Sequence, residues 1–119
     1  MGISLVLLAY KEEENLRILL PQIKEKLEEC KEAYEILVID TAEPLDNTKD
    51  VCIEYGARYI NQEQPGFGGA FCTGIKYASM DKFLIMDSDG SHPTAQIPEI
   101  HQMFISGNYD TLVLNQVLQ

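Results

Sequence analysis

The sequence is poor in basic residues. Nine lysines and arginines stand against 19 aspartates and glutamates, which gives a formal charge of −10 over 119 residues. A surface with that charge repels nucleic acids and anionic membranes, so binding of a polyanion through a basic surface is disfavoured. A ligand that carries phosphate would therefore need local help, from a cation or from backbone N–H groups.

Cysteines and long apolar runs are also scarce. Cys30, Cys52 and Cys72 are odd in number and widely spaced, with no Cys-x-x-Cys pair. This pattern indicates free thiols and disfavours a disulfide framework or a cysteine zinc site. The sequence shows neither a secretory signal pattern nor an apolar run long enough to span a bilayer, so we expect a cytoplasmic protein.

The sequence does contain short apolar runs that alternate with amphipathic segments. Near-continuous apolar runs are typical of strands buried on both faces of a parallel sheet. They predict five strands, at residues 3–10, 35–40, 57–61, 82–87 and 110–115. The hydrophobic fraction of 45% is ordinary for a globular chain. The length predicts one domain, residues 1–119.

Apolar residues at helical spacing occupy the intervals between these runs. Helices are predicted at 13–31, where Pro21 would kink the helix or delay its start, and at 46–56 and 94–106. His101 would lie on a face of the last helix without a functional role. A further helical stripe comprises Phe67, Ala70, Phe71, Gly74, Ile75 and Ala78. The alternation predicts an α/β fold, a three-layer α/β/α sandwich around a mostly parallel, Rossmann-like sheet.

Acidic residues follow four of the predicted strands. In open parallel sheets, ligands bind outside the carboxyl ends of the strands. The first four strands lead into the segments AYKEEEN, VIDTAE, NQEQPGFGG and MDSDGSH, and each segment carries at least one acid. Several acidic ends that converge on one edge favour a divalent cation there.

Asp87 and Asp89 are the strongest candidates for metal ligands. Residues i and i+2 of an extended chain point to the same side, so both carboxylates can reach one cation or its waters. Hard oxygen ligands select Mg²⁺ or Mn²⁺, which bind substrate phosphates. Asp-Ser-Asp-Gly-Ser is equally typical of a plain turn, and the spacing alone leaves both interpretations open. His92, close by, fits a third ligand, a phosphate contact or a solvated loop residue.

Other segments at the same edge are compatible with a nucleotide. The glycines of GFGGAFCTG can bring the backbone close to a phosphate at a helix N-terminus, or they can serve helix–sheet packing. Tyr10 and Glu12 can stack on and hydrogen-bond a base, and Asp40 can bind a base or ribose or cap a turn. The dinucleotide fingerprint would follow the first strand, where the sequence reads AYKEEEN, so NAD binding is disfavoured.

Four segments, taken in order, resemble those of family 2 glycosyltransferases with the GT-A fold. They are ISLVLLAYKEEENL, YEILVIDTAEPLDNT, GFGGAFCTGIKYA and FLIMDSDGSHP. The resemblance is strongest to the dolichol- or polyprenol-phosphate mannosyl- and glucosyltransferases, and it covers only the nucleotide-binding half of a typical member. It implies metal-dependent, inverting transfer of a hexose from a GDP- or UDP-sugar to a lipid-phosphate or saccharide acceptor. It also implies a role in cell-envelope biogenesis and work at the cytoplasmic face of the membrane.

The resemblance also implies roles for individual residues. The implied nucleotide-binding residues are Ala9, Tyr10, Glu12, Asp40, Gly66, Gly68, Gly69 and Asp87. The implied ligands of Mg²⁺ or Mn²⁺ are Asp87, Asp89 and Ser91. Asp89 would be the catalytic residue, because a metal that it holds stabilises the leaving diphosphate.

The sequence departs from the family pattern at four places near the implied site, one of which is the turn AEPLDNT that follows Thr41. Leu8 stands where proline is usual, Lys11 where asparagine is usual, and Thr41 where a second aspartate is common. These departures leave the base open, and the family's acceptor site and catalytic base lie outside the matched segments. A nucleotidyltransferase, a receiver-like signalling module and a binding domain without turnover are the alternatives. The first would carry a basic, glycine-rich loop after the first strand and the second a phosphorylatable aspartate after the third, and neither feature is present.

Overall fold

The computed structural model describes residues 2–88, 94–107 and 111–113. The strands are β1 (Gly2–Leu8), β2 (Ala33–Asp40), β3 (Arg58–Asn61), β4 (Lys82–Asp87) and β5 (Thr111–Val113). The helices are α1 (Glu13–Glu29), α2 (Thr48–Tyr55), α3 (Gly66–Tyr77) and α4 (Ile97–Gly107), with a 3₁₀ turn at Thr94–Gln96 before α4. All strand pairs are parallel. The predicted α/β fold with a mostly parallel sheet is confirmed.

The strand order places β1 at the centre of the sheet. The order is β3-β2-β1-β4-β5, so the chain winds outward from β1 to one edge and then returns to its other side. Leu8, at the end of β1, pairs with Ile39 of β2 and with Asp87 of β4. The strand order therefore reverses between β1 and β4, and open α/β sheets bind ligands at the carboxyl ends of strands at such a point.

Two cores cover the two faces of the sheet. Ile3, Leu5 and Leu7 of β1 pack with buried residues of α1, α2 and α4. Val6 packs on the opposite face with Ala70 of α3. Because β1 is buried on both faces, its sequence is nearly continuous in apolar residues. This apolar run is what predicts the strand from the sequence alone.

Two helices differ from the prediction in detail. α1 begins at Glu13 and continues through Pro21, so the proline does not delay its start. In α3 the predicted apolar stripe is partly wrong, because Phe67 and Ile75 are 69% and 52% exposed. The buried face consists instead of Gly69, Ala70, Thr73 and Gly74. α3 lies so close to the sheet that a Cβ on Gly74 would come within 2.9 Å of Val6 Cγ1, and large side chains cannot fit there.

Glu35 of β2 bonds to three other segments at the amino end of the sheet: β1, β3 and the segment that follows α3. Its Oε2 accepts hydrogen bonds from Ser4 Oγ at 2.7 Å and from the Ser79 amide and hydroxyl at 2.7 and 2.9 Å. Its Oε1 accepts one from Arg58 Nη1 at 2.8 Å. Burial acts to raise the pKa of Glu35, but these donors outweigh it and the pKa lies below its ordinary value.

We expect Glu35→Gln to weaken the fold and to change its acid response. A charged acceptor with several donors is worth about 1–3 kcal/mol at neutral pH. Because the folded pKa is depressed, this contribution is present above the unfolded value near 4.5 and is lost as pH falls through the folded pKa. Urea denaturation from pH 7 to 3 should therefore give a shallower acid slope for Glu35→Gln than for the wild type. Glu25→Gln, at an exposed position on α1, is the control, and equal slopes for both variants would contradict the prediction.

His101 is more deeply placed than the sequence suggested. It is only 7% exposed, and its Nε2 contacts the carboxylate of Glu32, which also accepts a hydrogen bond from Lys82 Nζ at 2.9 Å. The pKa of Glu32 is lowered, first by the hydrogen bond to His101 and further by Lys82. His101 lies on a face of α4, as predicted, and there it attaches α4 to the segment before β2. That it has no functional role stays a prediction.

Candidate functional site

A cavity of about 470 Å³ lies at the carboxyl ends of the central strands. The strand-following segments of β1, β2 and β3 form its walls together with the first turn of α3 and the end of β4. Its lining residues are Leu8, Ala9, Tyr10, Glu12, Thr41, Ala42, Gln62, Gly66, Phe67, Ala70 and Asp87. The cavity thus occupies the position where the strand order reverses.

The β1–α1 segment forms one wall. The Ala9 amide donates to the Ile39 carbonyl at 2.9 Å, which continues the sheet pairing one residue beyond β1. Lys11 has a φ of 55°, a left-handed conformation in which asparagine is enriched over most other non-glycine residues. This tight turn leaves Tyr10 66% exposed at the cavity. Glu12 ends the wall, where its carbonyl accepts the Leu16 amide at 2.8 Å as α1 begins.

The β2–α2 segment is attached to the start of α1. Asp46 accepts hydrogen bonds from the Thr48 amide and hydroxyl at 3.1 and 2.7 Å, and from the Glu13 amide at 3.1 Å. Glu13 Oε1 in turn accepts the Asn47 amide at 3.1 Å. Asp46 therefore caps the starts of two helices, although Asn47 occupies the formal cap position of α2 and makes no side-chain cap bond. This attachment holds together the two loops that form adjacent walls of the cavity.

The β3–α3 segment forms the opposite wall. Gly66 has a φ of 82°, which glycine adopts without strain. A Cβ on Gly69 would lie 2.0 Å from the Gln64 carbonyl oxygen, whereas one on Gly68 would meet nothing within 4 Å. Thr73 Oγ1 accepts the Glu63 amide at 3.0 Å and donates to the Gly69 carbonyl at 2.9 Å, so the loop is anchored to the helix.

The end of β4 brings a carboxylate to the cavity. Asp87 lines it, and the next residue, Ser88, is buried and donates its hydroxyl to the Leu8 carbonyl at 2.7 Å. Asp89, Ser91 and His92 lie outside the described residues. Within residues 2–88, 94–107 and 111–113, no group of three or more histidine, cysteine, aspartate or glutamate side chains is arranged to hold a metal ion. Asp87 and Glu12 supply hard carboxylate oxygens to one cavity, a donor type that suits Mg²⁺ or Mn²⁺.

The structure brings five of the sequence-predicted nucleotide residues to one cavity and leaves three off its wall. Those on the wall are Ala9, Tyr10, Glu12, Gly66 and Asp87. Those off it are Asp40, Gly68 and Gly69; Asp40 is 1% exposed and Gly69 is buried. Their predicted contacts with a nucleotide stay predictions.

The sequence analysis assigned no role in the site to several residues of the wall. Thr41 and Gln62 directly follow β2 and β3, so the rule about carboxyl ends of strands would have found both. Phe67 and Ala70 were assigned to an apolar helix stripe. In the structure Phe67 is exposed and both residues line the cavity.

The parallel sheet and the cavity at its reversal point define an open α/β domain with a candidate ligand site at the carboxyl ends of its strands. A family model described as glycosyl transferase family 2 matches residues 4–118. The chain belongs to this family.

Individual relatives are similar over most of this chain. The dolichol-phosphate mannosyltransferase of Pyrococcus furiosus is 30% identical over 112 residues, which cover 91% of this chain and 31% of that protein. An uncharacterized glycosyltransferase of Mycobacterium tuberculosis is 29% identical over 99 residues, which cover 83% and 42%. The chain thus spans about a third to two fifths of the length of these relatives.

Solved structures show the same fold. The glucosyl-3-phosphoglycerate synthase of Mycobacterium tuberculosis, in complex with Mn²⁺, UDP-glucose and phosphoglyceric acid, superposes with a TM-score of 0.75. The sequences are 25% identical, and the match covers 89% of this chain and 40% of that one. Its complex with UDP gives a TM-score of 0.67 at 27% identity over 80% of this chain and 36% of that one. In the part of the present chain that the structure describes, no helix is long and apolar enough to cross a membrane.

Proposed function

We propose that this chain is the donor-binding domain, residues 1–119, of a metal-dependent, inverting glycosyltransferase that uses a GDP- or UDP-hexose. The observation that carries the proposal is the cavity at the reversal point of the sheet, which combines Asp87 and Glu12 with the exposed ring of Tyr10. Membership of glycosyl transferase family 2 supports it. The mycobacterial relative with Mn²⁺ and UDP-glucose supports the class of donor.

The chemistry of the walls suggests how a donor would be held. Tyr10 offers an exposed aromatic face for a base, and the Glu12 carboxylate accepts N–H groups such as those of uracil or guanine. On the other wall Gly66 and Gly68 leave room beside the first turn of α3, where backbone N–H groups favour a diphosphate. In this assignment Ala9 contributes backbone at the base, and Gly69 keeps the glycine turn close to α3.

The position that we propose for the divalent cation is the end of β4. Asp87 would hold Mg²⁺ or Mn²⁺ together with Asp89 and Ser91, and when bound the ion acts as a Lewis acid on the diphosphate leaving group. The net charge of −10 favours such local neutralisation, since the overall field of the protein repels a nucleoside diphosphate. Asp89 is the catalytic residue in this proposal.

The acceptor that we propose is a lipid phosphate or a saccharide hydroxyl. The lipid alternative follows from similarity to a protein named dolichol-phosphate mannosyltransferase. It would place the chain in the cytoplasm, at the cytoplasmic face of a membrane, in the synthesis of cell-envelope components.

The experiment is calorimetric titration of the chain with GDP and UDP, each with and without Mn²⁺. We expect binding that requires Mn²⁺ and that favours one base by about tenfold or more, equivalent to about 1.4 kcal/mol. ADP and CDP serve as base controls. Equal affinity for all four nucleotides would contradict a GDP- or UDP-sugar donor site, and binding that EDTA leaves unchanged would contradict its dependence on a metal.

A further inference from the structure

Asp40 is a buried carboxylate whose two oxygens already have partners. It ends β2 and is 1% exposed. Its Oδ1 accepts the Thr41 amide at 2.8 Å, and its Oδ2 accepts the Tyr59 hydroxyl at 2.6 Å. A buried carboxylate is stable only when such donors satisfy it, so these bonds account for its position.

The partners of Asp40 close a ring of hydrogen bonds across the ends of β2 and β3. Asn61 Nδ2 donates to the Tyr59 hydroxyl oxygen at 3.1 Å and to the Thr41 carbonyl at 2.8 Å. The ring therefore runs from Asp40 through Tyr59 and Asn61 to Thr41 and back to Asp40. Both backbone polar groups of Thr41 are held by it.

Of the four residues in this ring, only Thr41 lines the cavity. Its hydroxyl donates to the Glu43 carbonyl at 2.7 Å, so the side-chain orientation is also restrained. The structure places Asp40, Tyr59 and Asn61 behind this wall. The side chains of Asp40 and Asn61 bond to the backbone of Thr41, so the ring meets the cavity wall at Thr41.

We propose that Asp40 is a positioning residue, which fixes Thr41 on the cavity wall, and that Thr41 rather than Asp40 contacts the bound nucleoside. This inference rests on the proposed donor site. To reach a base directly, Asp40 would have to release the Thr41 amide or the Tyr59 hydroxyl, and a buried group would then be left without a partner. Burial, and then the hydrogen bond to Asp40, raise the pKa of Tyr59 to about 12, so its hydroxyl keeps its proton and donates at neutral pH.

The test compares Tyr59→Phe, Asp40→Asn and the double variant by calorimetric titration with the preferred nucleotide and Mn²⁺. Tyr59→Phe removes the bond to the Asp40 carboxylate and the bond from Asn61, and Asp40→Asn removes the charge that accepts from Thr41 and Tyr59. Each single variant should therefore weaken binding about threefold to tenfold. The double variant should bind no more weakly than the single variant of lower affinity, because both changes release Thr41. Tyr34→Phe is the matched control, since that hydroxyl also donates to a carboxylate, that of Glu28 at 3.4 Å, and Tyr34 does not line the cavity.

Other outcomes would overturn the inference. If Asp40→Asn weakens binding while Tyr59→Phe behaves like Tyr34→Phe, Asp40 contacts the nucleotide itself. Additive losses, or wild-type affinity in both variants, would show that the ring does not position the wall. Circular dichroism and thermal melting confirm that each variant is folded.

Two readouts do not require a ligand and so separate this inference from the proposed function. Hydrogen exchange of the Thr41 amide should be faster in Tyr59→Phe and Asp40→Asn than in Tyr34→Phe. The ultraviolet titration of Tyr59 is isolated by subtracting the curve of the same protein with Tyr59→Phe added. In Asp40→Asn this titration should lie at lower pH than in the wild type. If the wild type binds no nucleotide, the proposed function fails, whereas unchanged exchange and titration would refute the positioning role by themselves.

Discussion

Replacement of Gly69 by alanine should destabilise the domain by about 1–3 kcal/mol and impair nucleotide binding. A Cβ at this position would lie 2.0 Å from the Gln64 carbonyl oxygen and 2.4 Å from its carbon, and both atoms belong to the backbone. The turn before α3 would have to move, and the same turn carries Gln62 and Gly66 of the cavity wall. Stability is measured by urea denaturation and affinity by calorimetry.

Gly68→Ala is the matched control for this prediction. It makes the same chemical change one residue earlier, where the added Cβ meets nothing within 4 Å. Alanine is favoured over glycine in a helix by up to about 1 kcal/mol, so Gly68→Ala should be as stable as the wild type or slightly more stable. If the two variants had equal stability, close packing at Gly69 would not be what determines the position of the turn.

Asp87→Asn should weaken Mn²⁺-dependent nucleotide binding by about 100-fold or more, since loss of even an indirect metal contact costs 10–100-fold. Asp87 ends β4 and lines the cavity. In the proposed site its negative charge holds the cation that neutralises the diphosphate. The asparagine keeps the shape and removes the charge. In EDTA the wild type and the variant should bind the nucleotide equally weakly, which separates loss of metal from damage to the cavity.

Asp50→Asn provides the charge-matched control. Asp50 is exposed in the first turn of α2, and its replacement changes the net charge by the same one unit. We expect it to bind nucleotide like the wild type. Comparable losses in both variants would point to the overall charge of the protein, and wild-type affinity in Asp87→Asn would remove Asp87 from the metal site.

Much of the fold was predictable from the sequence because strands buried on both faces must be apolar throughout. β4 matches its prediction, Lys82–Asp87. β2 begins two residues earlier than predicted, and β1 begins one residue earlier and ends two residues earlier. The parallel α/β class followed from the alternation of such runs with helical stripes. β5 was predicted as 110–115, and the structure describes Thr111–Val113 of it.

The candidate site was predictable only where a residue directly follows a strand. Tyr10, Glu12 and Asp87 reach one cavity because parallel strands end at one edge of the sheet. The same rule applies to Thr41, yet the sequence drew attention to its neighbour Asp40, the more obvious chemical group. Whether a polar side chain at a strand end faces a cavity or a buried partner depends on the neighbouring strand, here on Tyr59 and Asn61 of β3.

The sequence by itself determined the elements of this protein, since hydrophobic periodicity is a local property of the chain. It also determined the family, because the four segments around the strand ends carry it in order. Tertiary structure decided which side chains meet. It left Phe67 exposed at the cavity, while α3 packs on the sheet through small residues such as Gly74, where a Cβ would come within 2.9 Å of Val6 Cγ1. It also buried Asp40 and His101, because their partners Tyr59 and Glu32 come from other elements, and no local pattern records such contacts.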